Sequence, residues 1–317
     1  MIVLNVAKKA DITSVSFFSA TQVLLTAVTK ELRRHRSSRS LWDVTTTTRV
    51  PPAIPTFSAH GFGELRSGDW RIGVSTTAGL AAHHPATGRT VVEPTESKPT
   101  RITLTPDGRT VLFCWSVGER TSENGFASRT WSPESETFGA GFRVTTIVPA
   151  ENAMPMYQCD ALIALPDKNR FVATEWYWDF SPQLVIRSVS TGEVLAVAEI
   201  AGREAPSLAV APDGARVVVA VLKSLYVFST DDLTPQQHVK NDGRKHFTGI
   251  AFHPSGRYLA ATSNDQTVKL YDTTTWTVAK TYTWDVGRMR SVAFSPDGTL
   301  AAAGSDTGKV VVWDVDL

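Results

Sequence analysis

Apolar and polar residues alternate over short runs along most of the chain, which predicts many short β-strands. Three stretches repeat the same order: an alternating strand, a turn of Pro-Asp-Gly type, a second apolar strand, a short polar loop and a third strand ending on an aromatic residue. They are "PSLAVAPDGARVVVAVLKSLYVFST" from Pro206, "TGIAFHPSGRYLAATSNDQTVKLYDT" from Thr248 and "RSVAFSPDGTLAAAGSDTGKVVVWDV" from Arg290. Proline fixes φ and Asp-Gly permits positive φ, so these turns punctuate an antiparallel sheet.

The same turn position recurs along the whole chain. Its occurrences, the first two of them weaker matches, are Ser19, Arg66, Pro106, Pro166, Pro212, Pro254 and Pro296. The corresponding third strands end at Trp42, His83, Trp131, Arg187, Phe228, Tyr271 and Trp313. Most of the intervals are close to the period of about 40–50 residues that four-stranded propeller blades show. The sequence therefore predicts seven repeats.

Dipeptides at the ends of the third strands carry a family resemblance. Trp-Asp occurs at 42–43 and 313–314, and Tyr-Asp occurs at 271–272. With these repeats, the chain resembles the WD-repeat β-propellers, although His83 and Arg187 replace the aromatic residue in two repeats. The Gly-His pair that often precedes the first strand in this family is mostly missing, so apolar packing is expected to hold the blades together.

The resemblance implies an all-β fold, a seven-bladed β-propeller with four antiparallel strands per blade in a single domain spanning residues 1–317. The last repeat stops after its third strand, and residues Ile2–Val6 are expected to supply the fourth, because a propeller leaves no open sheet edge only when it closes. The predicted blades are residues 10–55, 56–96, 97–148, 149–203, 204–243, 244–286 and 287–317 with 1–9.

Composition narrows the range of partners. The chain has 317 residues, 42% of them hydrophobic, and a net charge of +1, so it has no overall field to attract nucleic acid, which is not expected as a partner. No apolar run reaches membrane-spanning length, and the lysines follow the apolar N-terminal run instead of preceding it, unlike a signal peptide. Two cysteines, Cys114 and Cys159, make no disulfide framework. A cytoplasmic protein is predicted, acting as a monomeric ring or as a subunit of a larger complex.

The stretch "EWYWDF" from Glu175 concentrates aromatic residues where the fourth repeat is longer than the tightest ones. Extra residues are expected in the loop between the second and third strands, on the face that also carries the long connection between blades 3 and 4. Exposed aromatic and Met side chains would suit a protein or peptide partner. An aromatic loop that caps the core remains the alternative. The predicted partner-binding residues are Met156, Tyr157, Trp176, Tyr177, Trp178, Phe180, Arg288 and Arg290.

The stretch "KELRRHRSSR" from Lys30 is basic and is expected to form the inserted loop of the first repeat. It could bind phosphate, RNA or an acidic protein surface, and a solvated loop is the alternative. Its candidate residues are Arg33, Arg34, Arg36 and Arg39.

Catalytic motifs are not found. The sequence has no nucleophile elbow, phosphate loop or dinucleotide fingerprint, and neighbouring His83 and His84 point to opposite faces of a strand. No catalytic residue, metal ligand or cofactor is predicted, and the favoured function is a non-catalytic scaffold. The alternative is a lactonase-like or other hydrolase with a metal at the mouth of the central channel. Its candidate residues are Asp160, Glu204, His246 and Asp285.

Overall fold

The fold consists of β-strands in the part of the chain that the structure describes. The computed structural model describes residues 1–17, 19–31, 34–50, 65–75, 79–95, 99–115, 123–147, 157–167, 169–177, 181–202, 207–242 and 245–316. The strands are β1 (Ile2–Asn5), β2 (Ala10–Phe17), β3 (Gln22–Glu31), β4 (Arg34–Asp43), β5 (Thr48–Val50), β6 (Leu65–Ser67), β7 (Trp70–Val74), β8 (Leu80–His83), β9 (Thr90–Glu93), β10 (Arg101–Leu104), β11 (Thr110–Trp115), β12 (Glu123–Ser132), β13 (Thr137–Gly139), β14 (Arg143–Ile147), β15 (Tyr157–Ala164), β16 (Arg170–Tyr177), β17 (Gln183–Ser188), β18 (Val194–Glu199), β19 (Ser207–Val210), β20 (Arg216–Val221), β21 (Ser224–Ser229), β22 (Pro235–Lys240), β23 (Phe247–Phe252), β24 (Tyr258–Ser263), β25 (Thr267–Asp272), β26 (Thr277–Thr283), β27 (Met289–Phe294), β28 (Leu300–Ser305) and β29 (Lys309–Asp314).

Consecutive antiparallel strands form seven sheets, which are the blades of a β-propeller. Blade 1 is β2–β5, blade 2 is β6–β9, blade 3 is β10–β14, blade 4 is β15–β18, blade 5 is β19–β22 and blade 6 is β23–β26. Blade 7 is β27–β29 completed by β1. The predicted fold class is therefore confirmed. In blade 3 the fourth strand is split, because β13 and β14 both pair with β12.

In blades 2 to 7 the second and third strands are the most deeply buried of the described strands. β20 and β28 are buried at every residue after the first, whereas β22, an outer strand, is exposed at all but one position. This burial explains the sequence pattern, because strands covered on both faces are apolar throughout instead of alternating. The runs "RVVVAV" and "LAAAGS" are two such strands.

The Pro-Asp-Gly turns join first and second strands as predicted. In blade 7, Gly298 has a φ of 75°, and the Asp297 side chain accepts a hydrogen bond of 3.1 Å from the Thr299 amide. The Ser295 hydroxyl also donates to Asp297, and this bond is the main cause that lowers the pKa of the Asp297 carboxyl. The weak match at Arg66 was wrong, because Arg66 lies inside β6 and the turn follows Ser67.

Inter-residue contacts divide the chain into two compact units. The first contains Met1–Pro52, Ser207–Phe228 and Pro235–Leu317, and the second contains Ala53–Pro206 and Ser229–Thr234. Each unit has its own apolar cores.

The N-terminal strand closes blade 7, as predicted. β1 pairs with β29 in antiparallel register, from Ile2 opposite Val312 to Asn5 opposite Lys309. Leu4 is 2% exposed and lies in a core with Ile12. Gly308 permits a close approach, because a Cβ there would lie 1.5 Å from the carbonyl oxygen of Ala7.

Several expected loop insertions are lengthened strands instead. β3 and β4 form a hairpin with ten residues in each strand, paired from Gln22 opposite Asp43 to Glu31 opposite Arg34. In blade 3, β12 is also ten residues long, and its Phe126 is 1% exposed. The physical reason is that added cross-strand pairs satisfy backbone N–H and C=O groups, which a loop of the same length leaves to water.

Candidate functional site

The aromatic segment begins at the end of β16. Trp176 and Tyr177 are its last two residues, and their backbones pair with Gln158 and Tyr157 at the start of β15. The expectation that Trp176 and Tyr177 lie on a loop was therefore wrong, since the hairpin of blade 4 continues through them. The remaining residues predicted here lie outside the described part of the chain: Met156, Trp178 and Phe180.

A buried ion pair holds β16 just before this segment. Arg187 donates from Nε to Glu175 Oε1 at 2.8 Å and from Nη2 to Oε2 at 3.0 Å. Its Nη1 donates to the Gly192 carbonyl at 2.9 Å, and its guanidinium lies 5.0 Å from the centre of the Phe126 ring. Arg187 is thus accommodated where most other blades have Trp, Tyr or Phe. This ion pair joins β16, which ends in the aromatic segment, to β17, which follows it.

Arg288 and Arg290 lie where the connection from blade 6 enters blade 7. Arg290, in β27, donates to Asn264 Oδ1 at 3.2 Å and lies 3.6 Å from Asp306 Oδ2. Asn264 belongs to the turn between β24 and β25, and Asp306 belongs to the turn between β28 and β29. Arg290 therefore links the hairpin ends of two successive blades. We call Arg288, Arg290, Asn264 and Asp306 the arginine cluster.

Hydrogen bonds hold the backbone of the arginine cluster in place. The Arg288 amide donates to Asp306 Oδ1 at 2.9 Å, and the Asp306 amide donates to the Arg288 carbonyl at 2.9 Å. Gly287 has a φ of 96°, and a Cβ there would lie 2.5 Å from Thr307 Cγ2. The Arg288 side chain is exposed. The cluster thus presents one free-standing cationic side chain on a fixed backbone.

A second group of polar residues lies in blade 6, at the end that carries the Asn264 turn. The buried Lys269 donates to Asn241 Oδ1 at 2.7 Å and to Asp242 Oδ2 at 3.3 Å. Asn241 in turn donates to Ser263 Oγ at 3.1 Å and to the Lys245 carbonyl at 3.1 Å. These bonds join the connection after β22 to β24 and β25. Sequence reasoning missed them, although a lysine inside the apolar run "TVKLYD" was a signal that a buried polar partner was needed.

The basic stretch of blade 1 forms a strand, not the expected loop. Arg34, Arg36 and Arg39 lie in β4, where Arg36 pairs with Thr29 and Arg39 pairs with Thr26. Arg33 lies outside the described residues. Whether this strand binds an anionic partner stays a prediction.

The residues proposed for a metal-dependent enzyme are dispersed among separate elements. Asp160 lies in β15, His246 accepts a 3.1 Å hydrogen bond from the Asn264 amide at its carbonyl, and Asp285 is exposed. Glu204 lies outside the described residues. Over the ranges that the structure describes, no three His, Cys, Asp or Glu residues are grouped to hold a metal ion. Over those ranges, too, no helix is long and apolar enough to span a bilayer.

Comparison with known proteins assigns the repeats to a class. Residues 235–272 and 277–314 match the family described as "WD domain, G-beta repeat". The predicted WD-repeat resemblance is thus confirmed for residues 235–314, which hold the most regular repeats of the β-propeller, in blades 5 to 7. Such propellers typically serve as scaffolds for protein interactions.

Several characterised proteins match part of the chain. The Serine-threonine kinase receptor-associated protein of Gallus gallus is 28% identical over 111 residues, which is 35% of this chain and 31% of that protein. The human protein of the same name is 28% identical over 102 residues, 32% of this chain and 29% of that protein. Protein HIR1 of Cryptococcus neoformans is 34% identical over 94 residues, 27% of this chain and 11% of HIR1. The matched stretches span less than a third of these relatives' length.

Proposed function

We propose that this protein is a non-catalytic scaffold that binds a protein or peptide at the ends of the blades where second and third strands turn back. The observation that carries the proposal is the arginine cluster. The Arg288 backbone is fixed to one hairpin end through Asp306, and the Arg290 side chain bonds to another through Asn264, while the Arg288 side chain is exposed. Binding to a fixed surface costs less conformational entropy than binding to a surface that must first become ordered.

The chemistry of the cluster favours an acidic group on the partner. A guanidinium binds a carboxylate through two parallel hydrogen bonds, and arginine is enriched in interaction surfaces. Arg290 already has Asn264 and Asp306 as neighbours, so we assign it a positioning role. Arg288 is assigned the direct contact with the partner.

The aromatic segment of blade 4 is a separate candidate surface that we propose for a protein or peptide partner. Its candidate residues are Met156, Tyr157, Trp176, Tyr177, Trp178 and Phe180. Large aromatic side chains provide much contact area at low entropic cost, which suits a peptide partner. One matched relative is named Serine-threonine kinase receptor-associated protein, and a name of this kind is consistent with a protein that binds other proteins. A cytoplasmic location is part of the same proposal.

The test is quantitative affinity capture with the full chain from its own cells. Wild type, Arg288→Ala and the double variant W176A/W178A are compared for recovery of each partner. We expect a partner whose recovery falls at least about fivefold with Arg288→Ala. Arg257→Ala is the matched control, because Arg257 is an exposed arginine at the opposite end of β24. Equal recovery by all variants would refute the proposed surface.

Elemental analysis of the purified protein distinguishes the scaffold from the metal-dependent hydrolase. A scaffold should carry no stoichiometric transition metal after dialysis. One metal ion per chain, with esterase or lactonase activity that a chelator abolishes, would favour the enzyme instead.

A further inference from the structure

The outer strand of blade 4 has an exposed apolar surface. β18 is six residues long, and Val194, Leu195 and Val197 are 49%, 53% and 49% exposed. From Leu195 to Glu199 exposed and half-buried residues alternate, which places Leu195 and Val197 on the same side of the sheet. β18 has a bulge at Leu195, yet its apolar surface is unusual at a sheet edge, where natural proteins place charges or proline to prevent pairing.

The outer strands β22 and β26 can be compared with β18 at the positions of Leu195 and Val197. A bulge occurs at the same place in β18, β22 and β26, which aligns the three strands residue by residue. The positions of Leu195 and Val197 are occupied there by smaller or polar residues, namely Gln236 and His238 in β22 and Ala279 and Thr281 in β26. The propeller fold therefore does not require the apolar pair in blade 4.

The backbone of β18 is available for a further strand. In the portion of blade 4 that the structure describes, β18 is the last strand of the sheet and pairs only with β17. Its outward N–H and C=O groups can form the ladder that an added peptide strand needs. Six residues give an edge of about 20 Å, enough for a peptide of similar length.

The charges around β18 define the chemistry of the partner. Exposed Glu193 precedes the strand, exposed Glu199 ends it, and no charged residue lies between them. A peptide with apolar residues at alternate positions and a lysine or arginine at each end would match both the surface and the charges. A second copy of this chain would not, because antiparallel pairing of two β18 strands places the Glu193 end of one copy beside the Glu199 end of the other.

We infer that β18 is a strand-addition site for an extended, apolar peptide segment with basic residues at both ends. This site goes beyond the proposed function. It uses the outer edge of blade 4 instead of the ends of the hairpins, and Arg288→Ala should leave it unchanged.

The site is tested with a defined probe, a fluorescent peptide of sequence Lys-Val-Thr-Val-Thr-Val-Lys, measured by anisotropy with the full chain. Wild type should bind it saturably and should bind the same peptide with terminal glutamates at least about tenfold more weakly. Binding should weaken as salt is raised, because exposed charges are screened. Hydrogen exchange of the β18 amides should slow in the complex.

Two variants separate the apolar from the charged contribution. L195Q/V197T introduces residue types found in β22 and β26 and should weaken binding about tenfold or more. E193Q/E199Q should abolish the preference for lysine-ended over glutamate-ended peptide. Val278→Thr in β26 is the matched control, because Val278 is 42% exposed at the position of Val194 and should not affect the peptide.

Three results would overturn the inference. They are no saturable binding of the lysine-ended peptide by wild type, equal binding by wild type and a folded L195Q/V197T variant, or a wild-type dimer that L195Q/V197T converts to monomer. The last result, read from light scattering, would assign the edge to a second copy of the chain.

Discussion

Glu175 and Arg187 form an ion pair that should dominate the local stability of blade 4. Their side chains are only 5% and 9% exposed, and the two charges are joined by two hydrogen bonds. Removing one partner of a buried pair leaves an uncompensated charge, which costs about 3–5 kcal/mol. Glu175→Gln keeps the size of the side chain, so no cavity adds to this cost. We expect Glu175→Gln to lower the free energy of unfolding by about 3 kcal/mol or more.

The double variant E175S/R187Y distinguishes the cost of an unpaired buried charge from general disruption of the packing in blade 4. It introduces the residue types that blade 6 has at the matching positions, Ser263 and Tyr271. With both charges removed, no unpaired ion remains, and replacing a buried pair by a packed side chain is often neutral. The double variant should therefore recover most of the loss seen in Glu175→Gln.

The assay is urea-induced unfolding followed by circular dichroism, with hydrogen exchange in β16 and β17 to localise the effect. The matched control is Glu134→Gln, because Glu134 forms an exposed pair with Arg109 and its loss should leave the unfolding midpoint unchanged. A loss below about 1 kcal/mol for Glu175→Gln, or a double variant less stable than Glu175→Gln, would refute the reasoning.

Four further measurements test other parts of the fold. Thr47 has a φ of 56° where blade 4 has Gly192, so Thr47→Gly should raise the free energy of unfolding by about 1 kcal/mol in urea melts. Burial raises the pKa of Tyr271 to about 12. An unfolded tyrosine loses its proton near pH 10, so stability should fall between about pH 10 and 12, and less so in Tyr271→Phe. Burial also raises the pKa of the Cys159 thiol well above its usual value, so a thiol reagent should modify Cys159 only after denaturation. Deleting residues 1–9 uncovers the edge of β29, and light scattering should detect association.

The strand order and the turns were predictable because their causes are local. Alternation and the Pro-Asp-Gly turns lie within a few residues of the strands they define, as at Pro254 and Pro296. The ends of the third strands, such as Trp313, follow from the same short pattern. The pairing of β1 with β29 joins the two ends of the chain, and it was predictable only because the last repeat lacked its fourth strand.

The candidate site was less predictable because its causes are distant in sequence. A longer repeat can lengthen a loop or lengthen a hairpin, and the choice depends on whether both strands can pair. Trp176 and Tyr177 were misplaced for this reason, since their partners in β15 precede them by a turn and a full strand. The link from Arg290 to Asn264 spans two blades, and nothing near either residue in the sequence indicates it.

Internal repetition supplies a comparison that a single domain without repeats lacks. Each position of a blade occurs several times under nearly the same constraints of strand pairing and burial, so a residue type that differs in one blade needs a local cause. Arg187 departs from the Trp, Tyr or Phe of most other blades, and its cause is visible in Glu175 and the Phe126 ring. Leu195 and Val197 depart in the same way from their counterparts, yet they remain half exposed and the described residues give them no internal cause. Because folding explains the first departure but not the second, selection for binding is the better explanation of the apolar edge in blade 4.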